Sequence, residues 1–121
     1  MPIVSVDLVA DDSRIAPGLA RAIADAVGDA LGAAPGSVWV RLATIAPDRY
    51  AENGVAAADT PAPVFVTIEQ REAPEPAALD ARIQPLTGAV ARAVGCEPSL
   101  VHIEFAPAGA GRRAFGGTLV R

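Results

Sequence analysis

The sequence contains no lysine, so all ten of its cationic side chains are arginines. It has one cysteine and one histidine. The lone Cys96 excludes a disulfide framework and a cysteine-based metal cluster. No second histidine or cysteine lies at ligand spacing from His102, so no metal site is expected. Aromatic residues make up only 4% of the chain, and alanine and valine supply much of the apolar content.

Long apolar runs and basic clusters are missing as well. No stretch approaches the roughly 20 apolar residues of a membrane-spanning helix, and the start lacks the pattern of a signal peptide. The formal net charge is -4, which argues against nucleic acid and anionic membranes as partners. With 121 residues, 51% of them hydrophobic, the chain is expected to form one domain, 1–121, of a soluble cytoplasmic protein.

The chain repeats the order strand, helix, strand. VSVD (4–7) and VTIE (66–69) alternate in polarity and predict two equivalent strands. Apolar residues at helical spacing follow each of them; the first helix is predicted to begin after a cap at Asp12 or Ser13, and the helices end at Gly32 and Gly95. VWVRL (38–42) and VHIEF (101–105) predict the second strands. The repeat units cover about 1–58 and 63–121, joined by an alanine- and proline-rich connector.

Each unit predicts a right-handed parallel β-α-β crossover. Two units predict an α/β (α+β) fold, in which a four-stranded mixed sheet carries both helices on one face. Pro85 lies inside the second helical pattern and is expected to kink or interrupt it. The other sheet face lacks cover within the chain, so a neighbouring subunit is expected to cover it.

Strand alternation places four unusual side chains on the face away from the core: Trp39, Arg41, His102 and Glu104. They form either an ordinary solvated face or a polar pocket at a subunit interface. The pattern alone leaves both interpretations open.

The chain begins MPIVSVDLV, with Pro2 at a strand start. This start, the tandem β-α-β pattern and the segments 37–54, 64–74 and 111–120 together resemble the tautomerase superfamily over the whole chain. That superfamily comprises 4-oxalocrotonate tautomerase, cis-3-chloroacrylic acid dehalogenase, malonate semialdehyde decarboxylase and macrophage migration inhibitory factor. The resemblance is to a fused two-unit form. It implies a homotrimer and a cofactor-independent isomerase acting on a small-molecule carboxylate.

The resemblance also implies a catalytic amine. Loss of Met1 would make Pro2 a secondary amine, the general base and acid that moves a proton in a small enol or 2-oxo acid. A free α-amine titrates near 8, and an apolar pocket with nearby cations lowers that pKa. Arg71 is the expected carboxylate-binding residue, and Arg41 is the second choice.

Further substrate-binding positions follow from the same resemblance: Tyr50, Trp39, His102, Glu104 and Phe115. Arg112 and Arg113 are expected at the surface or at trimer contacts. Where the two-unit relatives often carry a second arginine after the one matched by Arg71, this chain has Ala73 and Pro74.

Two other functions stay open. One is a family decarboxylase, hydratase or dehalogenase, in which Pro2 is cationic and Glu104 or Glu52 activates water. The other is a non-catalytic trimeric binding protein, for which a retained Met1 would be the sign because it blocks the amine.

Overall fold

The computed structural model describes residues 2–56 and 61–121; Met1 and the predicted unit boundary near residue 58 lie outside them. The described residues contain two α-helices, α1 (Leu19–Leu31) and α2 (Pro76–Val94). The strands are β1 (Ile3–Val9), β2 (Trp39–Ile45), β3 (Val64–Glu69), β4 (Val101–Phe105), β5 (Ala114–Phe115) and β6 (Thr118–Leu119). Single 3-10 turns cover Asp12–Arg14, Pro47–Arg49 and Pro98–Leu100. The predicted strand-helix-strand repeat is confirmed.

The four long strands form one mixed sheet in the order β2-β1-β3-β4. The pairs β1–β2 and β3–β4 are parallel, as two crossover units require, whereas the central pair β1–β3 is antiparallel. Ile3 at the start of β1 is therefore the partner of Glu69 at the end of β3. The two units run in opposite directions. At each end of the sheet, the start of one unit's first strand therefore lies beside the end of the other unit's first strand.

Both helices cover the same face of the sheet, as predicted. Alternate strand residues such as Val4, Val6 and Ile68 are buried against Ile23 of α1 and Leu86 of α2. Burying a side chain of this size contributes about 1.5–3 kcal/mol. Neither described helix has the length and apolarity to cross a membrane.

The opposite face, called the open face below, has no helix over it in the described part of the chain. Trp39 is 54% exposed and Phe65 is 36% exposed there. Arg41, His102 and Glu104 are exposed as well. Trp39 and His102 occupy equivalent positions, as alternation predicts. Trp39 pairs with Ile3 of β1, and His102 pairs with Phe65 of β3. Ile3 and Phe65 are each the first residue of their strand on the open face.

Two local predictions were wrong. Helix α1 is capped by Gly18 and not by Asp12 or Ser13, because Asp12 lies in a 3-10 turn where its carboxylate accepts a hydrogen bond from the Thr44 hydroxyl. Pro85 does not interrupt α2, which is continuous through it. Pro85 costs α2 one backbone hydrogen bond. Because Pro85 lies on the exposed side of the helix, the buried side chains of α2 keep their packing against the sheet and the helix stays continuous. The predicted ends at Gly32 and Gly95 are confirmed.

Candidate active site

Pro2 lies where the first unit meets the end of the second unit's first strand. Its carbonyl accepts a hydrogen bond from the Trp39 N–H at 3.0 Å, which fixes it beside β2. On its other side runs the segment that follows β3. Pro2, this segment and Arg82 of α2 line an open cavity of about 560 Å³, called the Pro2 cavity. Its lining residues are Pro2, Gln70, Arg71, Glu72, Ala73, Pro74, Glu75 and Arg82.

Two arginines line the Pro2 cavity. Arg71, predicted from the resemblance, is exposed, and its carbonyl accepts a hydrogen bond from the Ala110 N–H at 2.9 Å. Arg82 is half-buried on α2, and its Nη1 donates to Oε1 of Gln70 at 3.4 Å. Antiparallel pairing of β1 with β3 therefore brings Pro2 and Arg71 together within one chain, with no subunit boundary between them.

Sequence reasoning missed Arg82. Its spacing carries a usable signal, because it follows Leu79 by three residues and precedes Leu86 by four. It therefore lies along the apolar stripe of α2 and next to the sheet. Arg82 therefore supplies the cavity with a second cation from helix α2. The resemblance places a second arginine in the loop after β3, where this chain has Ala73 and Pro74.

An ion pair anchors the C-terminal segment at the same end of the sheet. Nε and Nη2 of Arg113 each donate to one carboxylate oxygen of Glu69 at 2.7 Å. These hydrogen bonds lower the pKa of the Glu69 carboxyl and raise the pKa of Arg113. Arg113, expected at the surface or a trimer contact, thus has a partner inside its own chain. The strand register that presents Glu69 to it cannot be read from spacing alone.

Trp39 and Phe115 also lie at the Pro2 end, but not in the cavity. Their rings contact edge to face, with centroids 5.0 Å apart. The chain after β4 runs beside the extension of β3, where the Gly109 N–H donates to the Gln70 carbonyl at 2.8 Å. Phe115 of the β5–β6 hairpin then contacts Trp39 on the open face. Trp39 and Phe115 therefore form an aromatic wall near Pro2, while neither one lines the Pro2 cavity.

Tyr50 and His102 lie at the opposite end of β3. Both line a second open cavity of about 400 Å³, called the Pro63 cavity. Its lining residues are Tyr50, Glu52, Pro61, Pro63, Phe65, Leu100 and His102. The Phe65 ring is centred 6.0 Å from both the Tyr50 ring and the His102 ring. The Tyr50 hydroxyl donates to Glu52 at 2.5 Å, and this bond raises the pKa of Tyr50. One chain thus keeps Tyr50 and His102 away from Pro2.

Arg41 and Glu104 lie in neither cavity. Nη2 of Arg41 donates to the Ser5 hydroxyl at 3.0 Å on the open face. Glu104 lies on the same face at the other edge of the sheet. Within residues 2–56 and 61–121, no group of three or more histidine, cysteine, aspartate or glutamate side chains is placed to hold a metal ion.

Comparison with solved structures identifies the fold. A fused 4-OT described as a symmetric trimer aligns over 98% of this chain and 94% of its own, at 20% identity and a TM-score of 0.75. A macrophage migration inhibitory factor from Oncomelania hupensis aligns over 100% and 83%, at 21% identity and a TM-score of 0.71. A malonate semialdehyde decarboxylase inhibited by 3-bromopropiolate aligns over 94% and 90%, at 22% identity and a TM-score of 0.68.

These three proteins are members of the tautomerase superfamily. The chain therefore has the tautomerase fold, as the sequence resemblance predicts. No family model and no curated protein matches the sequence.

Proposed function

We propose that this protein is a cofactor-independent tautomerase that moves a proton in a small enol or 2-oxo acid. The observation that carries the proposal is that Pro2 and two arginines, Arg71 and Arg82, line one cavity. Enolisation of a 2-oxo acid needs a base, a cation for the carboxylate and a cation or donor for the developing enolate. Electrostatic stabilisation of that enolate by preplaced charges is a large contribution in such reactions.

Pro2 supplies the base once Met1 is removed. A free α-amine titrates near 8. The positive charges of Arg71 and Arg82 disfavour its protonated form, and the proposal requires that they outweigh the carboxylates of Glu72 and Glu75 on the same cavity lining. A base whose pKa lies near the working pH transfers protons most effectively. The equivalent of Pro2 in the second unit, 62 residues on, is Val64, whose nitrogen is a peptide amide and whose side chain is 4% exposed. Each chain therefore holds one catalytic amine.

In the proposed reaction, the Pro2 nitrogen accepts the proton of the enol hydroxyl. The electron pair of the breaking O–H bond forms the carbonyl, and the displaced π electrons take up a proton at carbon. The protonated Pro2 returns that proton, so the amine is regenerated and no net charge is transferred. Arg71 binds the substrate carboxylate throughout, and Arg82 adds positive charge on the α2 side of the cavity.

A homotrimer belongs to the same proposal. The open face exposes Trp39 and Phe65 in the single chain, and a fused 4-OT with the same fold is described as a trimer. Residues that the resemblance assigns to the pocket but that lie outside the Pro2 cavity, Tyr50 and His102 among them, are candidates for contact with a neighbouring subunit. Sedimentation at micromolar concentration tests the trimer, and a monomer would contradict it.

Decarboxylation or hydration is the second candidate. It needs a cationic Pro2 and a carboxylate that activates water. Glu72 and Glu75 line the Pro2 cavity and supply such carboxylates, and the structural neighbours include a malonate semialdehyde decarboxylase. Glu52 and Glu104, the residues that sequence reasoning offers for this role, lie outside the Pro2 cavity within the chain.

A substrate panel separates these functions. The protein is assayed with 2-hydroxymuconate, phenylenolpyruvate, malonate semialdehyde and 3-haloacrylates, following enol absorbance, carbon dioxide and halide. Enol turnover without carbon dioxide or halide supports the tautomerase. Release of either product supports the second candidate. Intact mass is measured on the same sample; a retained Met1 together with no turnover would instead favour the non-catalytic binding protein.

A further inference from the structure

Two cavities share the hydrogen-bonded pair of Tyr50 and Glu52, at the end of the sheet away from Pro2. One is the Pro63 cavity, where Phe65 and His102 complete the polar and aromatic lining. The other is smaller, about 170 Å³, and is called the Val55 cavity. Besides Tyr50 and Glu52, it is lined mainly by apolar residues, among them Val9, Pro47, Val55 and Ala62. The reaction proposed for Pro2 uses neither cavity.

Glu52 gives both cavities a negative charge. No arginine is among the described residues that line them, and Arg49, three residues before Glu52, is exposed and lies in neither lining. Within residues 2–56 and 61–121, Glu52 forms no ion pair. The Tyr50 hydroxyl donates to Oε2 of Glu52, which leaves Oε1 able to accept a second hydrogen bond. A carboxylate with no cation beside it and an available oxygen favours a cationic donor as ligand.

Two aromatic rings lie next to this carboxylate. The ring centres of Tyr50 and Phe65 are 6.0 Å apart. A cation is attracted to an aromatic ring when it lies over the ring face within about 6 Å of its centre. One ammonium group between Tyr50 and Phe65 can therefore lie within that distance of both rings while it donates to Glu52. Aromatic rings of this kind are used in other proteins to recognise organic ammonium ions.

The Val55 cavity supplies room for an apolar substituent. An apolar cavity of about 150 Å³ in another protein holds benzene, so a cavity of about 170 Å³ is large enough for a phenyl ring or a short alkyl chain. Tyr50 and Glu52 belong to both linings. The ammonium group beside Glu52 and the apolar group in the Val55 cavity can therefore be the two ends of one small molecule.

We propose that the Pro63 and Val55 cavities together bind a primary ammonium ion that carries an aryl or short alkyl group. The ammonium donates a hydrogen bond to Glu52 and contacts the rings of Tyr50 and Phe65, and the apolar group enters the Val55 cavity. The inference goes beyond the proposed function, because it concerns the other end of the sheet and requires no turnover.

A ligand titration tests the site. The probe is 2-phenylethylammonium, added to ¹⁵N-labelled protein in the assembly that the wild type forms and followed by nuclear magnetic resonance. Saturable shifts should centre on Tyr50, Phe65 and His102, whereas Gln70 and Arg82 in the Pro2 cavity should not move. The neutral 2-phenylethanol and the anionic 3-phenylpropionate share the apolar part of the probe. Both should bind at least about fivefold more weakly, because they lack the charge that Glu52 attracts.

Variants assign the affinity to its sources. Glu52→Gln should raise the dissociation constant of 2-phenylethylammonium by about fivefold and remove most of its advantage over 2-phenylethanol. Phe65→Leu should raise that constant by about threefold, since one ring contact is lost. Glu104→Gln is the matched control and should bind like the wild type, because Glu104 is exposed on the open face and lies in neither cavity.

Four results would each overturn the site. They are no saturable binding up to roughly 20 mM, a generous limit for a ligand of this size; shifts centred on the Pro2 cavity; equal binding of the neutral or anionic analogue; and equal effects of Glu52→Gln and Glu104→Gln. Enol turnover by a protein that fails this titration would keep the proposed function and reject the ammonium site. Binding by a protein that turns over none of the panel would do the reverse.

Discussion

The two ends of the sheet are built from the same repeated elements but differ in chemistry. At one end, Pro2 precedes β1 and shares a cavity with two arginines and two glutamates: Arg71, Arg82, Glu72 and Glu75. At the other, Pro63 precedes β3 and shares a cavity with aromatic and acidic side chains, Tyr50, Glu52, Phe65 and His102. Both ends keep the buried strand residues that hold the helices. The comparison shows that packing constrains both units, whereas of the two cavities only the one at the end that can carry a free amine contains arginines.

The difference has a covalent cause. A chain end can be a basic amine, but the nitrogens of Pro63 and Val64 are amides in the middle of the chain and cannot take up a proton. Arginines near Pro63 would have no chain-terminal amine to assist. The Tyr50 hydroxyl, hydrogen-bonded to Glu52, has a raised pKa and stays protonated at neutral pH. The Pro63 cavity therefore lacks the chain-terminal amine on which the proposed reaction depends.

The largest effect should come from exchanging the two prolines for alanine, one at a time. Pro2→Ala should lower kcat/KM for an enol substrate by up to about 10²-fold, the lower end of the contribution of a positioned base, because a freely rotating primary amine replaces the secondary amine that the proline ring holds in place. Pro63→Ala should leave kcat/KM per folded molecule near the wild-type value, because its nitrogen has no basic lone pair. Steady-state kinetics on trimeric fractions provides the measurement. Equal decreases of kcat/KM in the two variants would show that the two ends of the sheet do not differ in catalysis.

Arg71→Ala should have the next largest effect. Loss of one charge-assisted hydrogen bond to a carboxylate costs about 1.5–3 kcal/mol, so KM for a 2-oxo acid should rise. The value of kcat should fall as well if the same guanidinium stabilises the enolate. Arg14→Ala is the matched control, since Arg14 is exposed in a 3-10 turn outside the Pro2 cavity. If Arg14→Ala reduced kcat/KM and Arg71→Ala did not, the assignment of Arg71 would be wrong.

Arg82→Ala should have a smaller effect on the same quantity. Its guanidinium is already engaged with Gln70, so it contributes charge to the cavity more than a direct bond. An increase in KM of roughly threefold to tenfold, below that of Arg71→Ala, is expected. Arg92→Ala is the control on the same helix, because Arg92 is exposed and lies outside the Pro2 cavity. Identical kinetics for the two variants would remove Arg82 from the site.

Glu69→Gln should have the smallest effect, a decrease of Tm by a few degrees at most. Arg113 lowers the pKa of the Glu69 carboxyl in the folded state, so this stabilisation is present above the unfolded pKa, about 4.3, and is lost as the pH falls through the lower folded value. The Tm difference between wild type and Glu69→Gln should thus be constant near neutral pH and shrink below about pH 4.

Asp25→Asn is the control for that titration. Asp25 approaches Arg21 at 3.9 Å on the exposed face of α1, and such surface pairs contribute little. Its Tm should equal that of the wild type at all pH values. A Glu69→Gln difference that grows towards acid pH would show that Arg113 does not stabilise the ionised carboxyl.

Local periodicity predicted most of the fold. Alternation in 4–7 and 66–69 and the apolar spacing of both helices identified the strands, the shared helical face and the helix ends at Gly32 and Gly95. The errors arose where a tertiary contact competes with a local signal. Asp12 resembles a helix cap but bonds Thr44 on β2 instead. Pro85 resembles a break but lies on the solvent side of a well-packed helix.

The candidate site was less predictable, because it depends on which strand ends meet. Arg71 was identified by resemblance, but its closeness to Pro2 follows from the antiparallel β1–β3 register, which spacing does not encode. The contacts of Arg82 with Gln70 and of Arg113 with Glu69 lie within the second unit and depend on how α2 and the chain after β4 pack beside the end of β3. Tyr50 and His102 were grouped with Pro2 by resemblance, and the chain places them at the other end of the sheet.

The central claim is that Pro2 is a free amine whose pKa is lowered by the cations of its cavity. Nuclear magnetic resonance of protein labelled with ¹⁵N-proline, with Pro2→Ala to assign the signal, follows the protonation of this nitrogen directly. The account predicts a titrating secondary amine with its midpoint below 8, the ordinary value of an α-amine, and a higher midpoint in Arg71→Ala. A midpoint at or above 8, or a Pro2 nitrogen that does not titrate because Met1 is retained, would contradict it.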